Sequence, residues 1–123
     1  MGISGVRRSG LLGSDRAADL VRAQRDAAKE TQQATRDTDS FQYAEGIQET
    51  LTWALGELGH GPSGEPASPD DTRLYVEIAM MKGYALDSTS PAHYFAGGAM
   101  VALLWLTGEA DELPVTWSDS RTG

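Results

Sequence analysis

The fold is decided by AEGIQETLTWALGE, residues 44–57, and by its counterpart AGGAMVALLWLTGE, residues 96–109. Seven positions in and just after these stretches are identical at a constant offset of 52 residues. The identical pairs are Ala44/Ala96, Gly46/Gly98, Leu51/Leu103, Trp53/Trp105, Gly56/Gly108, Glu57/Glu109 and Pro62/Pro114. Self-similarity at a fixed offset is typical of an internal repeat. Since each stretch follows another helical segment, the sequence predicts a duplicated helical hairpin, with chance convergence on a common helix ending as the alternative.

The apolar residues of both stretches have helical spacing. In the first stretch the large apolar residues share one face while Glu45 and Glu49 point away, so this helix is predicted to be amphipathic and peripheral. The second stretch is apolar all round and is predicted to be the central helix. Glycine inside a helix costs about 1 kcal/mol relative to alanine, so its presence at both matched positions indicates a close approach.

Two interpretations of that close approach remain open. The first is packing of the two matched helices on each other. The second is a groove for a ligand or a partner along the flank that Gly46 shares with Trp53. On that flank Trp53 is expected to be more exposed than Trp105, and a leucine is expected to be tolerated better at Gly46 than at Gly98.

Start and stop signals outline four helices and no strand. A serine or a Ser-Pro pair stands before each helical stretch, and Gly56 and Gly108 follow the second and the fourth. The predicted ranges are about 15–36, 40–55, 69–82 with a continuation past Gly83, and 91–107. We therefore predict an all-α fold, a small three- to four-helix bundle with an N-terminal helical arm.

Charge and aromatic residues divide the chain into two parts. Residues 1–40 carry a net charge of +1 and no aromatic residue, whereas residues 41–123 carry −9 and all nine aromatic residues. The second part is therefore predicted to form the core. We assign a flexible N-terminal segment to residues 1–13, a helical arm to 14–38, a compact helical domain to 41–117 and a C-terminal tail to 118–123.

The arm combines strong helix propensity with few large apolar residues, so we expect it to gain little by packing on its own core. Three interpretations remain open: a solvated helix held by charge pairs, a seam of small residues packed against another chain, and disorder. The second makes the arm the site of self-association or of docking to a protein partner. The candidate interaction residues are Leu20, Val21, Ala27, Ala34, Arg7 and Arg8 in the arm, with Gly46 and Trp53 on the second helix.

No motif in the chain predicts catalysis, a cofactor or a metal. Cysteine is absent, which excludes disulfides, a thiolate nucleophile and thiolate metal ligands. Residues 59–64 fit G-x-G-x-x-G, but a helix precedes them and Pro62 lacks an N–H, so we interpret them as a glycine loop. Glu57-x-x-His60 has the spacing of a metal-binding helix, but it lies at a helix end. His93 is interpreted as a structural histidine.

Charge and hydropathy argue against two classes of partner. The net charge of −8 argues against a general nucleic-acid binder, which needs a basic face. The strongly apolar stretch 94–106 is too short to cross a membrane. Asp15, Arg16 and Asp19 interrupt a start that otherwise resembles an export signal, so the expected location is the cytoplasm or a particle assembled there.

These observations predict a non-catalytic helical interaction or assembly protein. It would be a subunit of a larger complex, such as a bacteriophage virion or a similar particle, and the Ala, Gly, Arg and Asp usage is typical of high-GC bacteria and their phages. One alternative is an acidic regulatory protein that binds a basic surface on a partner. A second alternative is a small-molecule binder or enzyme that uses a groove lined by glycine and tryptophan.

Overall fold

Four helices form the part of the chain that the computed structural model describes, residues 17–34 and 39–115. They are α1 (Ala18–Ala34), α2 (Asp39–Ala54), α3 (Asp71–Leu86) and α4 (His93–Leu106). Within those residues there is no strand beyond an isolated bridge between His60 and Pro66. The all-α helical bundle is therefore confirmed. The predicted flexible segment 1–13, Trp117 and the tail 118–123 lie outside the described residues.

The helix starts differ from the predicted ones by a few residues. The side chain of Asp70, not Ser68, caps α3 by accepting a hydrogen bond from the Arg73 backbone N–H at 2.9 Å. α4 begins at His93 because the Ser90-Pro91 pair forms a turn, in which the His93 N–H donates to the Ser90 carbonyl at 3.0 Å. Each of these helices is thus shorter at its start than its Ser-Pro signal suggested.

The ends of α2 and α4 are built alike, as the repeat predicts. Gly56 and Gly108 take φ angles of 82° and 83°, the left-handed conformation that glycine adopts without strain. Their N–H groups donate to the carbonyls of Trp53 and Trp105 at 2.9 and 3.1 Å. The shared glycine and tryptophan therefore specify the same helix ending twice.

The helices pack in the order α1, α2, α4, α3, so that α2 and α4 form the centre. The prediction that α2 is peripheral is wrong, because its inner face is as completely buried as that of α4. Repeat-related residues are buried to the same degree in both helices. These fully buried pairs are Ala44/Ala96, Leu51/Leu103 and Trp53/Trp105.

The two matched glycines allow α2 and α4 to pack with their backbones in contact. A Cβ atom at Gly46 would overlap the Phe95 carbonyl oxygen and lie 2.9 Å from the Ala99 nitrogen. A Cβ atom at Gly98 would overlap the Tyr43 carbonyl oxygen and lie 3.2 Å from the Ile47 nitrogen. A shift of 52 residues converts one set of contacts into the other. Of the two interpretations left open above, packing of the matched helices on each other is therefore the observed one.

The first helix belongs to the core, contrary to the expectation that it gains little from packing there. Val21 and Ala28 are fully buried and join the same apolar cluster as the central helices. Small side chains at these positions let α1 lie close to α2. Truncation before residue 39 would remove this packing. The core therefore extends across the change in charge near residue 40 and includes residues of α1.

Three of the four buried positions of α1 correspond to the three buried positions of α3, at an offset of 53. The pairs are Val21/Leu74, Gln24/Glu77 and Ala28/Met81. The first hairpin is α1 with α2, and the second is α3 with α4. The polar members of this set, Gln24 and Glu77, each accept a backbone hydrogen bond from the other hairpin. The donor lies in the loop after α4 for Gln24 and in the loop after α2 for Glu77. Gln24 Oε1 accepts from the Val115 N–H at 2.8 Å, and Glu77 Oε1 accepts from the Ser63 N–H at 2.8 Å. Since Ser63 and Val115 are themselves related by 52 residues, the two bonds form a reciprocal clasp between the hairpins.

Glu77 is fully buried and its charge is compensated. Besides the bond at Oε1, its Oε2 accepts from the Ser63 hydroxyl at 2.8 Å and from two guanidinium nitrogens of Arg73 at 2.7 and 3.0 Å. Gly61 lies directly against this carboxyl group, since a Cβ there would stand 2.7 Å from Cδ. The loop backbone therefore fits around the carboxylate.

The question of a membrane span concerns α4 above all. It has 14 residues, and no helix in residues 17–34 and 39–115 combines the length and apolar character needed to cross a bilayer.

We predict that Gly46→Ala and Gly98→Ala each destabilise the protein by about 1–3 kcal/mol or more, since each methyl group would displace backbone. The matched control is Gly97→Ala, whose Cβ would lie 3.7 Å from the Tyr43 ring, an ordinary contact. That change should be neutral or stabilising by up to about 1 kcal/mol. Urea unfolding measures the free energy of unfolding of all three variants. A large difference between Gly46→Ala and Gly98→Ala would contradict the reciprocal crossing.

We predict that Glu77→Ala costs about 3–5 kcal/mol, because it removes a buried partner from Arg73 and from the loop. Gln24→Ala should cost about 1–3 kcal/mol by leaving the buried Val115 N–H unpaired. Glu65→Ala is the control, because its carboxylate bonds the same guanidinium at 3.1 Å but is largely exposed. It should cost less than about 1 kcal/mol. Equal losses for Glu65 and Glu77 in thermal or urea unfolding would contradict the clasp.

Candidate interaction surfaces

The two predicted interaction residues of α2 are not at the surface. Gly46 is buried in the crossing of α2 and α4, and Trp53 is fully buried with its indole N–H donating to the Ala67 carbonyl at 2.8 Å. The expectation that Trp53 is more exposed than Trp105 is wrong. The predicted groove lined by glycine and tryptophan is therefore occupied by the protein's own backbone.

The candidate residues of the arm lie in different environments. Val21 is fully buried and Ala27 packs partly buried against the core. Leu20 and Ala34 are exposed. Arg7 and Arg8 lie outside the described residues. Val21 and Ala27 thus contribute to α1 packing within the chain, and of the predicted seam only Leu20 and Ala34 remain available to a partner.

An exposed line of uncharged residues runs along the outer face of α3. Helical spacing places five residues within about 50° of the direction opposite the buried stripe. We call them the α3 outer line: Thr72, Val76, Ala79, Gly83 and Leu86. Leu86 is 76% exposed and Val76 39%, and Tyr75 beside them is 50% exposed. Val76 and Leu86 are the two large apolar side chains of the line.

The repeat supplies an internal reference for this face. Shifting the α3 outer line by 53 residues gives the α1 outer line: Asp19, Ala23, Asp26, Glu30 and Gln33, all exposed. Three of these five residues are acidic, as on an ordinary solvated helix. The same structural position is therefore charged in one hairpin and apolar in the other. The difference cannot come from packing demands, because both lines face outward from equivalent helices.

A second apolar surface lies in a groove beside α4. The groove has a volume of about 360 Å³, and its lining combines residues of α2, α4 and the following loop: Tyr43, Val101, Leu104, Ala110, Glu112, Leu113 and Pro114. Burial raises the pKa of the Tyr43 hydroxyl on one wall. Glu112 is exposed at the polar side, and Asp111 and Glu109 on the same loop are also exposed. The groove lining is thus apolar apart from Tyr43 and the single acidic residue Glu112.

Three of the seven positions equivalent to this groove are polar in the other half of the repeat. Glu49 and Thr52 replace Val101 and Leu104, and His60 replaces Glu112. Burial raises the pKa of Glu49, and the neighbouring Glu45 adds to the increase. The Thr52 hydroxyl donates to the Gln48 carbonyl at 2.7 Å. Positions 101 and 104 on the groove floor are therefore apolar only in the second hairpin.

The titratable side chains do not converge on a reactive site in the described ranges. Glu57 accepts a hydrogen bond from Arg25 at 2.8 Å, and the His60 Nδ1 contacts the Gly61 carbonyl at 3.0 Å. The Nδ1 of His93 is buried without a hydrogen-bond partner, and its ring packs edge-on against Tyr94. Residues 17–34 and 39–115 contain no group of three or more His, Asp or Glu side chains able to hold a metal ion.

No family model, curated protein or solved structure matches this chain in comparisons with known proteins. The sequence analysis placed its candidate interaction residues on the arm and on the second helix, and it did not single out the α3 outer line. The signal was present, because uncharged residues recur at positions 72, 76, 79, 83 and 86 in a chain with 18 acidic residues.

Proposed function

We propose that this chain is a non-catalytic helical interaction protein that assembles with copies of itself through the α3 outer line. The observation that carries the proposal is that the α3 outer line has no charged residue and two large apolar ones, whereas the α1 outer line has three acidic residues and no large apolar one. An equivalent helix face that is acidic in one hairpin and uncharged in the other points to a contact specific to the second.

The charge distribution leaves this one stretch of α3 open to a second copy. The chain carries a net charge of −8, so two copies repel each other over most of their surfaces. Between Thr72 and Leu86 the only acidic residue is the fully buried Glu77. This stretch therefore lets two acidic molecules meet without placing carboxylates against each other.

The order of side chains along α3 is self-complementary. Large residues, Val76 and Leu86, flank the small residues Ala79 and Gly83. In an antiparallel two-fold pair, Ala79 of one copy meets Gly83 of the other, and Val76 meets Leu86. The small residues allow the helices to approach, and the large ones pack at both ends of the contact, as an isologous interface requires.

The size of the face sets the expected strength of the contact. α3 has 16 residues, so it is about 24 Å long, and a strip about 10 Å wide covers roughly 240 Å². Standard interfaces bury about 800 Å² per partner. We therefore expect a dimer whose population depends on concentration, reinforced inside a larger complex. A virion or similar particle assembled in the cytoplasm is one form of this proposal.

The exposed acids of α1 support a second candidate function, binding to a basic surface of another protein. Asp19, Asp26 and Glu30 are exposed on the outer face, and Arg22 and Arg25 beside them pair with Asp19 and Asp26 at 3.2 and 2.6 Å. Such binding would weaken with salt, since exposed charges are screened over roughly 8 Å at physiological ionic strength. Association through the apolar α3 outer line would persist in high salt, which separates the two functions.

We predict that Val76→Glu and Leu86→Glu each raise the dissociation constant of the dimer at least about tenfold, a loss of about 1.4 kcal/mol or more. A carboxylate would be buried in the contact and would face its own copy. The matched controls Ala23→Glu and Gln33→Glu place the same charge at the repeat-equivalent positions of α1 and should leave association unchanged. Light scattering over a concentration series at low and high salt measures the dissociation constant of each variant.

Circular dichroism and thermal unfolding establish that all four variants remain folded, as expected for exposed positions. A wild-type chain that stays monomeric at every concentration and salt would overturn self-association. Equal weakening by the α1 and α3 variants would show that net charge, and not the α3 outer line, governs the contact.

A further inference from the structure

The two lysines of the chain occupy the same position in the two hairpins. Lys29 lies on α1 and Lys82 on α3, and both are exposed. The offset of 53 residues that relates the buried positions of these helices also relates the two lysines. Each outer line therefore has one lysine beside it, in a matched setting, and only the α3 outer line is uncharged.

Lys82 is an uncompensated cation beside the α3 outer line. Arg73, the other basic residue of α3, has its charge balanced by Glu77 at 2.7 Å and by Glu65 at 3.1 Å. Lys82 makes no ion pair within residues 17–34 and 39–115. Helical spacing places Lys82 about 80° from the centre of the α3 outer line, on the flank that it shares with Tyr75. Charges in such flanking positions set the orientation of paired helices.

The antiparallel pairing described above brings the Lys82 residues of two copies together. When Ala79 of one copy meets Gly83 of the other, the centre of the contact is level with Met81, one residue before Lys82. The two Lys82 residues are then displaced by two residues, or about 3 Å, along the helix axes. The two-fold axis of an antiparallel pair keeps like flanks on the same side. Both ammonium groups therefore stand beside each other at the middle of the contact.

The carboxylates near this contact lie farther along the helix or on its other side. Helical spacing places Asp87 on the opposite flank of α3. Glu109 accepts a hydrogen bond from the Tyr75 hydroxyl at 3.2 Å. Tyr75 lies five residues, or about 8 Å along the axis, from the level that Lys82 of the second copy occupies. Along the axis, the nearest charge to each ammonium group is therefore the other ammonium group.

We propose, on the basis of the self-association proposed above, that Lys82 opposes this association because the antiparallel pair sets two ammonium groups side by side. A parallel pair would reverse the effect, since it brings Lys82 of one copy to the flank that carries Asp87 of the other. Lys82 thus distinguishes the two orientations of the contact and limits its strength in the antiparallel one.

The first test compares Lys82→Gln with Lys29→Gln in the full chain. Each variant removes one positive charge from a chain with a net charge of −8, so a general charge effect would weaken association equally in both. Local repulsion predicts the reverse for Lys82→Gln, whose dissociation constant should fall about threefold relative to the wild-type chain. Lys29→Gln should leave the dissociation constant unchanged or raise it. Light scattering over a concentration series at low salt measures both constants.

The second test locates the lysines by cross-linking the wild-type chain with a short bifunctional amine reagent. Mass spectrometry should find Lys82 joined to Lys82, a product that requires two chains. Lys29 joined to Lys29 should be absent, because the α1 outer line is not in the contact.

The two tests separate the role of Lys82 from self-association itself. A dimer that lacks the product between two Lys82 residues would overturn the role of Lys82 while leaving self-association intact. A dimer that Lys82→Gln weakens more than Lys29→Gln does would also overturn that role and would indicate the parallel pair. A chain that is monomeric at every concentration would overturn both proposals.

Discussion

The close approach of α2 and α4 is the constraint on which the other contacts depend. At Gly46 and Gly98 the backbone of one helix lies directly against the backbone of the other, with no room for a side chain. This distance lets the flanking helices α1 and α3 reach the loops that follow the opposite central helices. Even one added methyl group would separate the central pair and lengthen the hydrogen bonds of Gln24 and Glu77.

The sequence was sufficient to predict the central pair, since the offset of 52 identifies the helices, their glycines and their ends. The place of α1 could not be read in the same way. Its buried residues Val21, Gln24 and Ala28 resemble Leu74, Glu77 and Met81 in role but are not identical to them, and the offset there is 53. A search for identical residues at the offset of 52 does not find these pairs. A buried glutamine also looks like a surface residue until its backbone partner, 91 residues away, is known.

The candidate surfaces depended on comparison of the two hairpins in three dimensions. Helical spacing alone shows that Thr72, Val76 and Leu86 share a face, but not that the face is outward. The outward direction follows once Leu74 and Met81 are seen to be buried. The polar counterparts in the first hairpin then indicate that apolar character is not imposed by the fold. At several positions of each surface the second hairpin has an uncharged or apolar residue where the first has a charged or polar one.

The matched glycine contacts have a consequence for the symmetry of the fold. The contact of Gly46 with Phe95 recurs, with the two hairpins exchanged, as the contact of Gly98 with Tyr43. This is the contact pattern of a symmetric dimer of single hairpins, found here within one chain. Within one chain the two hairpins can differ, because a substitution alters one face instead of two. A symmetric dimer would carry the apolar residues of the second hairpin twice.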